Sequence, residues 1–217
     1  MSSHPPSDAP SPGASAEGAA SELSLASLLR IRGAPLLDAL EGHFQGSREV
    51  GDASSSYAFA AAAELGFGRS SAELVRAAAE LHDVGRMYVP AEILAKPAWS
   101  RTSEEGALVE AHHEWGAQLA RGAGIPDRVC EWIRLGAERY DGGGPNRRAG
   151  EAIPLQARIS RAAYACYAAL TEGARDGAGA ANAVRRPLDA LHGSAGRELD
   201  PMVVDAIEAV LIRARPR

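Results

Sequence analysis

Apolar residues recur every three or four positions along most of the chain, which is the spacing of one face of an α-helix. One such stripe consists of Leu74, Ala77, Ala78, Leu81 and Val84. Another carries Leu108, Trp115 and Leu119. We find no internal repeat and no alternation of apolar and polar residues, the pattern of a half-buried strand. The sequence therefore predicts an all-α fold.

Local start signals mark three of the predicted helices. Ser70 with Glu73, and Thr102 with Glu105, have the spacing of a capping box, so a helix is expected to begin at each pair. Asp200, which a proline follows directly, is a typical N-cap for a last helix. Further helices are predicted over about 53–65, 126–139, 154–171 and 183–191.

Interruptions are predicted where glycine, proline or polar residues cluster. Segment 21–44 is expected to form one or two short helices broken near residues 33–35. The polar segment 45–56 predicts turns, segment 175–182 a weak loop, and Pro187 a further break.

Composition limits the class of protein. The chain has 217 residues, 46% of them hydrophobic and 5% aromatic, which favours closely packed helices. Its net charge of −5 argues against binding of a nucleic-acid polymer. Two cysteines are too few for a disulfide framework, and no apolar stretch is long enough for a membrane span. A cytoplasmic location is therefore expected.

The N-terminal region differs in composition from the rest. Residues 1–20 are rich in Ser, Pro, Ala and Gly, which predicts a disordered tail. We expect short helices over 21–49 and the main helical domain over 50–214.

Two strong metal ligands stand side by side where an apolar helix ends. His82 and Asp83 follow the stripe that ends near Leu81, and His112 lies on the apolar face of the later helix. Buried histidines beside an aspartate indicate a metal site. A hydrogen-bonded polar cluster that only supports the fold is the alternative.

These residues belong to a series of motifs that resembles a known family. The chain has LHDVGRMYVPAEILAKP at 81–97, TSEEGALVEAHHEWGA at 102–117, YDGGGP at 140–145, GEAIPLQARI at 150–159 and ELDPMVVDAI at 198–207. Together they resemble the HD-GYP branch of the HD-domain metal-dependent phosphohydrolases. The resemblance implies an HD-type helical bundle that holds iron or manganese ions and hydrolyses cyclic di-GMP or a related cyclic dinucleotide.

The sequence departs from the family at most of the implied metal ligands. A histidine is expected near Val50, a His-His pair at Gly136 and Ala137, and an aspartate at Tyr164 or Ala165. The tyrosine of the GYP signature is also absent. His82, Asp83 and His112 are thus three of roughly seven implied ligands, too few for a two-metal site. His43 lies seven residues before position 50, about two helical turns too early to replace the first one.

This loss predicts a degenerate member with impaired catalysis that acts as a binding or protein-interaction module. The alternative is an active phosphodiesterase with an altered metal site, in which Asp83 would be catalytic. One weakly bound iron or manganese ion and no metal at all are both left open. The expected partners are a cyclic dinucleotide or a diguanylate cyclase (GGDEF) domain, with a homodimer also considered.

The resemblance also nominates ligand-binding residues. Arg86 replaces the usual lysine of the family and keeps a cation that can meet a phosphate, although a solvated charge is the alternative. Four residues of the 140–145 loop are further candidates for contact with a ligand, with a plain connecting loop as the alternative: Asp141, Gly142, Gly144 and Pro145. We expect the imidazoles of His82 and His112 to lie within about 10 Å of each other. The positions of the lost ligands, Gly136, Ala137 and Tyr164, are expected to line the same region.

Overall fold

The computed structural model describes residues 14–175 and 182–214 and, within them, shows helices without any named strand. The α-helices are α1 (Ala14–His43), α2 (Ser47–Glu64), α3 (Arg69–Glu80), α4 (Ala91–Leu94), α5 (Ser103–Glu110), α6 (His112–Gly122), α7 (Asp127–Arg134), α8 (Leu155–Arg175), α9 (Asn182–Ser194) and α10 (Pro201–Arg213). Short 3-10 helices span Val84–Tyr88, Ala98–Ser100, Leu135–Ala137 and Gly150–Ala152. The predicted all-α class is confirmed.

The larger core lies between α2, α3, α8, α9 and α10. Small side chains dominate it: Ala61 on α2, Ala72 on α3 and Ala163 on α8 are all fully buried. Alanine leaves the backbones of neighbouring helices free to approach closely, and Ile159 and Ile207 fill the remaining space. This is the tight helical packing that the composition predicts.

A second core joins α1, α6 and α7 to the other side of α3. Leu37 of α1, Leu81 and Val84 after α3, and Ile133 of α7 are buried in it. Because α3 contacts both cores, the turn that follows it lies in the interior between them. That turn contains His82 and Asp83.

The predicted break near residues 33–35 is wrong, since α1 continues through Pro35. A proline removes one helical hydrogen bond, which leaves the carbonyl group of Ile31 without its donor. Ile31 is 69% exposed and Pro35 is exposed as well, so water can hydrate the helix on this side. Buried Leu29 and Leu37 hold the other side of α1 against the core.

Segment 45–56, predicted to form turns, is mostly helix, because α2 begins at Ser47. Its serines behave as small packing residues: Ser54 and Ser55 are 0% and 1% exposed. The hydroxyl of Ser55 donates to the carbonyl oxygen of Asp52 within the same helix, which satisfies its donor. Packing of α2 against α3 and α8 therefore makes this segment helical, although its polar composition predicts turns.

The local start signals had mixed outcomes. The capping box of Thr102 and Glu105 is confirmed, and so is the N-cap Asp200, whose side chain accepts from the N–H of Met202. The box predicted at Ser70 is wrong, because the N-cap of α3 is Gly68, two residues earlier, and no side chain caps the helix there.

Helix boundaries elsewhere differ by a few residues. The helix expected over 126–139 ends at Arg134 and continues as a short 3-10 turn, and α9 passes through Pro187 without the predicted break. Residues 14–20 of the tail predicted to be disordered lie in α1, and the tail itself stays a prediction. Residues 1–13, and residues 176–181 of the predicted loop, lie outside the described residues.

None of the helices within 14–175 and 182–214 is long and apolar enough to cross a membrane. The domain boundary at residue 50 stays a prediction, although that position falls inside α2.

Candidate functional site

A tight turn at the end of α3 holds the His-Asp pair in the interior. The helix ends at Glu80, a turn follows, and a 3-10 helix begins at Val84. Leu81 and Val84 on either side of the pair are 2% and 0% exposed. With both neighbours fixed in the core, His82 and Asp83 are buried with them.

Gly85 allows α6 to lie directly against this turn. A Cβ atom at residue 85 would lie 1.9 Å from the carbonyl oxygen of His112 and 2.5 Å from the backbone nitrogen of Gly116. Only glycine fits such a close approach of two backbones. The contact places the first residue of α6, His112, beside Asp83.

The three predicted metal ligands converge on one carboxylate oxygen. His82 Nε2 and His112 Nε2 each lie 3.3 Å from Asp83 Oδ1. Because both Nε2 atoms lie at this distance from the same oxygen, they are separated by at most twice 3.3 Å. The two imidazoles are therefore within the expected limit of about 10 Å. The three residues are 4–6% exposed. That they bind a metal stays a prediction.

Backbone contacts on the far side of both rings determine which nitrogen carries the proton. His82 Nδ1 lies 2.7 Å from the carbonyl oxygen of Ala79, and His112 Nδ1 bonds to that of Val109. A carbonyl oxygen only accepts, so each Nδ1–H donates and each neutral ring presents the lone pair of Nε2. Burial lowers the pKa of His82, against the opposing effect of Asp83, and this favours its neutral form.

Both Nε2 lone pairs therefore face a carboxylate oxygen, which is unfavourable without a cation or proton between them. Neither Nε2 atom, nor Asp83 Oδ1, has an aligned hydrogen bond to any of the described residues. Two imidazole nitrogens and a carboxylate oxygen suit iron or manganese. His82, Asp83 and His112 thus offer the donor types that such an ion takes, but their three donor atoms do not all lie within 4.8 Å of one another, so the rings would have to move closer together to share it.

Arg86 brings a permanent positive charge to the same oxygen. Its Nε lies 2.9 Å from Asp83 Oδ1, and its Nη2 donates to the hydroxyl of Tyr164 at 3.2 Å. Burial alone would raise the pKa of Asp83, but the positive charge of Arg86 opposes this and holds that pKa below its usual range. Asp83 is consequently a carboxylate at neutral pH.

Tyr164 of α8 occupies the space next to this pair. Its ring meets the imidazole of His82 edge-on, with centroids 4.7 Å apart, and the guanidinium carbon of Arg86 lies 5.8 Å from its centroid. The resemblance implies a metal-binding aspartate at this position. A phenol and a guanidinium stand there instead, and neither is a ligand for a divalent cation at neutral pH.

These side chains line a cavity of about 300 Å³. Gly136 and Tyr164 are on its wall, as expected from the sequence. Ala137 lies beside the cavity, where its carbonyl oxygen accepts from Arg161 Nη1 at 3.2 Å. Gly136 and Ala137 offer no side-chain donor, so this side of the cavity supplies no metal ligand from the expected His-His pair.

The implied ligand on α2 is not replaced from nearby. Val50 is outside the wall of the cavity, and so is His43. The Nε2 atom of His43 instead lies 2.8 Å from the carbonyl oxygen of Val89. His43 therefore connects the end of α1 to the segment after the 3-10 helix.

The nominated residues of the 140–145 loop lie apart from the cavity wall. Asp141 is paired with Arg139 at 2.7 Å and accepts from the N–H of Gly143 at 2.9 Å. The hydrogen bond from Arg139 lowers the pKa of Asp141 to about 2. The side chain of Asp141 thus has partners within its own loop, and Gly142 has a left-handed φ of 83° at its turn.

Gly144 and Pro145 line a groove of about 390 Å³ that adjoins the cavity. The two spaces share His112, His113 and Arg161 on their walls. The loop can therefore contact a ligand that extends from the cavity into the groove.

A buried carboxylate fixes the conformation of this loop. Glu138 is 2% exposed, and its oxygens accept from the N–H and side-chain amide of Asn146 at 2.7 and 2.8 Å and from the N–H of Arg148 at 3.0 Å. A Cβ atom at Gly144 would lie 2.7 Å from the Cα of Glu138, so glycine is needed there. Three charge-assisted hydrogen bonds hold the loop against the end of α7.

The sequence interpretation missed three titratable residues on the cavity wall: His113, Arg161 and Glu198. Burial lowers the pKa of His113 well below its usual value. The i,i+3 spacing of Arg161 and Tyr164 on α8 was a usable signal, since residues three apart share a helix face. Glu198 precedes α10 and no local pattern connects it to this site.

The family model described as "HD domain" matches residues 35–203. The chain belongs to the HD-domain family. This confirms the family that the motifs predict, and it agrees with the His-Asp turn at the centre of the cavity.

Two curated relatives of this HD domain are phosphodiesterases by name. It is 34% identical over 154 residues to the "Cyclic di-GMP phosphodiesterase response regulator RpfG" of Xanthomonas campestris pv. campestris (strain 8004), covering 67% of this chain and 38% of that protein. It is 33% identical over 98 residues to the "3'3'-cGAMP-specific phosphodiesterase 2" of Vibrio cholerae serotype O1, covering 44% of this chain and 19% of that protein. The chain therefore spans well under half the length of these relatives.

Solved structures share the fold. Bd1817, described as an HDG"Y"P protein from Bdellovibrio bacteriovorus, superposes with a TM-score of 0.59 at 18% identity, over 88% of this chain and 62% of that one. The HD domain of PgpH from L. monocytogenes, solved in complex with cyclic-di-AMP, gives 0.58 at 16% identity, over 84% and 99%. Both likenesses support an HD-type helical bundle.

Proposed function

We propose that this HD domain binds a cyclic dinucleotide such as cyclic di-GMP in bacterial signalling, and that it does not hydrolyse the ligand by a two-metal route. The observation that carries the proposal is the contact between Arg86 and Asp83 beside Tyr164. A two-metal site needs cations on both sides of a bridging carboxylate. Here the guanidinium of Arg86 lies 2.9 Å from Asp83 Oδ1, in the place beside the carboxylate where a second cation would be needed. Because this guanidinium is part of the chain, it does not leave the site as a free ion could.

Phosphate recognition is supported by two arginines on the cavity wall, Arg86 and Arg161. The planar guanidinium matches the oxygens of a phosphate and retains its charge when buried. Arg161 Nη2 lies 3.6 Å from Glu198 Oε2, a loose contact for which a phosphate can compete. A cavity of about 300 Å³ with an adjoining groove of about 390 Å³ gives a dinucleotide room to extend across both.

One metal ion on His82, Asp83 and His112 belongs to the same proposal. Such an ion, when bound, would supply a Lewis acid that polarises a phosphate oxygen or a water molecule. The carbonyl oxygens of Ala79 and Val109 hold both rings with Nε2 directed at Asp83, and a small approach of the two rings would let both nitrogens reach one ion.

Residual hydrolysis of the cyclic dinucleotide is the second candidate function, and the positive charge of Arg86 is the observation that favours it. A guanidinium beside the reacting phosphate can neutralise part of the charge that a second metal would otherwise stabilise. In that case Asp83 would be the catalytic carboxylate. The expected rate remains far below that of a two-metal enzyme, since the leaving oxygen has no metal to stabilise it.

The test is a cyclic di-GMP titration by calorimetry, once with EDTA and once with excess Mn²⁺, followed by chromatography of the nucleotide. We expect binding in both conditions and an intact nucleotide after prolonged incubation. Arg86→Ala should weaken binding by roughly tenfold or more, the loss of one charged hydrogen-bonding group. Arg128→Ala is the matched control, because that arginine is exposed and outside the cavity wall.

Three results would contradict the proposal. Linear product that forms rapidly with Mn²⁺ and disappears in His82→Ala would favour the active phosphodiesterase. Equal weakening by Arg86→Ala and Arg128→Ala would place the ligand elsewhere. No binding in either condition would leave a protein-interaction role, for which the diguanylate cyclase domain and the homodimer are the predicted partners.

A further inference from the structure

The side chain of Glu198 is a carboxylate on the cavity wall that takes no part in the proposed metal or phosphate contacts. It lies in the segment between α9 and α10, and within the described residues it and Asp83 are the two carboxylates on that wall. Asp83 is engaged by Arg86 at 2.9 Å and faces two imidazoles. Glu198 is therefore the carboxylate that a ligand in the cavity can use as an acceptor.

The backbone of Glu198 is fixed by contacts with other parts of the chain. Its carbonyl oxygen accepts from the N–H of Tyr140 and from Arg161 Nε, both at 3.3 Å, and its N–H donates to the carbonyl oxygen of Ser194 at 3.0 Å. The next residue, Leu199, is 3% exposed. A side chain on such a fixed backbone is positioned before a ligand arrives, which reduces the entropy that binding costs.

The carboxylate of Glu198 keeps free acceptor positions. Among the described residues, its Oε1 accepts one hydrogen bond, from Arg139 Nη1 at 3.1 Å. Its Oε2 lies 3.6 Å from Arg161 Nη2, which is too long for a hydrogen bond. A carboxylate offers about four lone-pair positions, and the side chain is 46% exposed, so a ligand can reach the remaining ones.

The bases of cyclic dinucleotides differ in what they offer a carboxylate. Guanine presents two adjacent donors on its Watson–Crick edge, the N1–H and the 2-amino group, which match the two oxygens of one carboxylate. Adenine presents its 6-amino donor beside the lone pair of N1, and that lone pair would face an oxygen that only accepts. A carboxylate on the cavity wall therefore favours guanine.

We propose that Glu198 accepts hydrogen bonds from the N1–H and 2-amino groups of a guanine base, and so makes the cavity select cyclic di-GMP over cyclic di-AMP. The inference deepens the proposed function and rests on its nucleotide-binding cavity. Arg161 and Glu198 divide the ligand by charge, since the guanidinium meets the phosphate and the carboxylate meets the base. Arg139, on the wall of the adjoining groove, holds the carboxylate through its Oε1.

Calorimetric titrations with cyclic di-GMP, cyclic di-AMP and cyclic di-IMP test this selection. EDTA is present throughout, so that no divalent ion supports hydrolysis during the measurement. We expect the wild type to bind cyclic di-GMP more tightly than cyclic di-AMP by roughly tenfold or more, because adenine leaves the charged acceptor without its donors. Cyclic di-IMP keeps the N1–H but lacks the 2-amino group, so its affinity should fall between the two.

Glu198→Gln should change the preference among bases. A glutamine amide has a donor beside an acceptor, which suits adenine better than guanine. The variant should bind cyclic di-GMP roughly tenfold more weakly than the wild type and cyclic di-AMP no more weakly, which also shows that it is folded. Glu151→Gln is the matched control, because Glu151 is exposed and outside both walls, and it should leave all three affinities unchanged.

Two results would overturn the inference while the binding module stands. One is equal affinity of the wild type for cyclic di-GMP and cyclic di-AMP. The other is a uniform loss of affinity for all three nucleotides in Glu198→Gln, because Glu198 would then act only by holding Arg139 and Arg161. Absence of binding for every nucleotide would instead reject the proposed function, and this inference with it.

Discussion

Replacing Gly85 with alanine perturbs the backbone contact that holds α6 against the His-Asp turn. The new Cβ atom would lie 1.9 Å from the carbonyl oxygen of His112 and 2.5 Å from the nitrogen of Gly116. Both are backbone atoms, so no side-chain rotation can relieve the overlap. To reach ordinary van der Waals distance, α6 must move by roughly 1.5 Å.

The energetic cost follows from this displacement. Adding atoms to a packed interior usually destabilises a protein by about 1–3 kcal/mol. Two backbone atoms are displaced here at once, so we expect the free energy of unfolding to fall by about 3 kcal/mol. The same movement lengthens the 3.3 Å separation of His112 Nε2 and Asp83 Oδ1, so metal affinity should fall as well.

Urea denaturation followed by circular dichroism measures the change, with two glycines as controls. Gly106 in α5 has nothing within 4 Å of an added Cβ, so Gly106→Ala should stabilise the protein by about 0.5–1 kcal/mol. Gly51→Ala meets the carbonyl oxygen of Glu80 at 3.1 Å and should give an intermediate result. A Gly85→Ala protein as stable as the wild type would refute the packing argument.

Further outcomes are expected from buried groups away from this contact. Burial raises the pKa of the Cys166 thiol to about 12, so the folded protein should not react with a thiol reagent at pH 8.5, whereas the urea-unfolded protein should. The thiol of the unfolded protein, with a pKa near 9, loses its proton at lower pH than the thiol of the folded protein. The contribution of Cys166 to the free energy of unfolding is therefore fully present below pH 9 and should fall by about 1.4 kcal/mol by pH 10. Cys166→Ala should not show this decline. Glu138→Gln replaces an acceptor with a donor against backbone N–H groups and should cost about 2 kcal/mol in urea, while exposed Glu151→Gln should cost almost nothing. Asp200→Ala removes the cap of α10 and leaves the partly buried guanidinium of Arg158 without its carboxylate, for an expected loss of about 3 kcal/mol. Asp200→Asn keeps the cap and should lose less, and equal losses would contradict this division.

Much of the candidate site could be predicted from the sequence, because its residues lie on helices with clear periodicity. His82 and His112 follow apolar stripes, so both were expected to face the core, and the structure places each 3.3 Å from Asp83. Their use as metal ligands remains a prediction. The caps at Thr102 and Asp200 were also predictable, because a cap depends on residues only two or three positions away.

The sequence by itself thus determined the helical class, the family and the residues that begin particular helices. It did not determine that α1 continues through Pro35, because the compensating contacts come from buried Leu29 and Leu37 packed on other helices. Nor did it reveal His113. On a regular helix, adjacent residues point about 100° apart, so a histidine beside an inward one is expected to point away.

Only the tertiary structure decided the contents of the cavity. Gly85 admits α6, Gly136 leaves space for the ring of His113, and Arg86 reaches across to Tyr164, 78 positions later in the chain. Each of these contacts joins segments that are distant in sequence, and its strength depends on distances of a few ångströms. Helical propensity and periodicity carry no information about such distances, because they describe each segment before it packs against another.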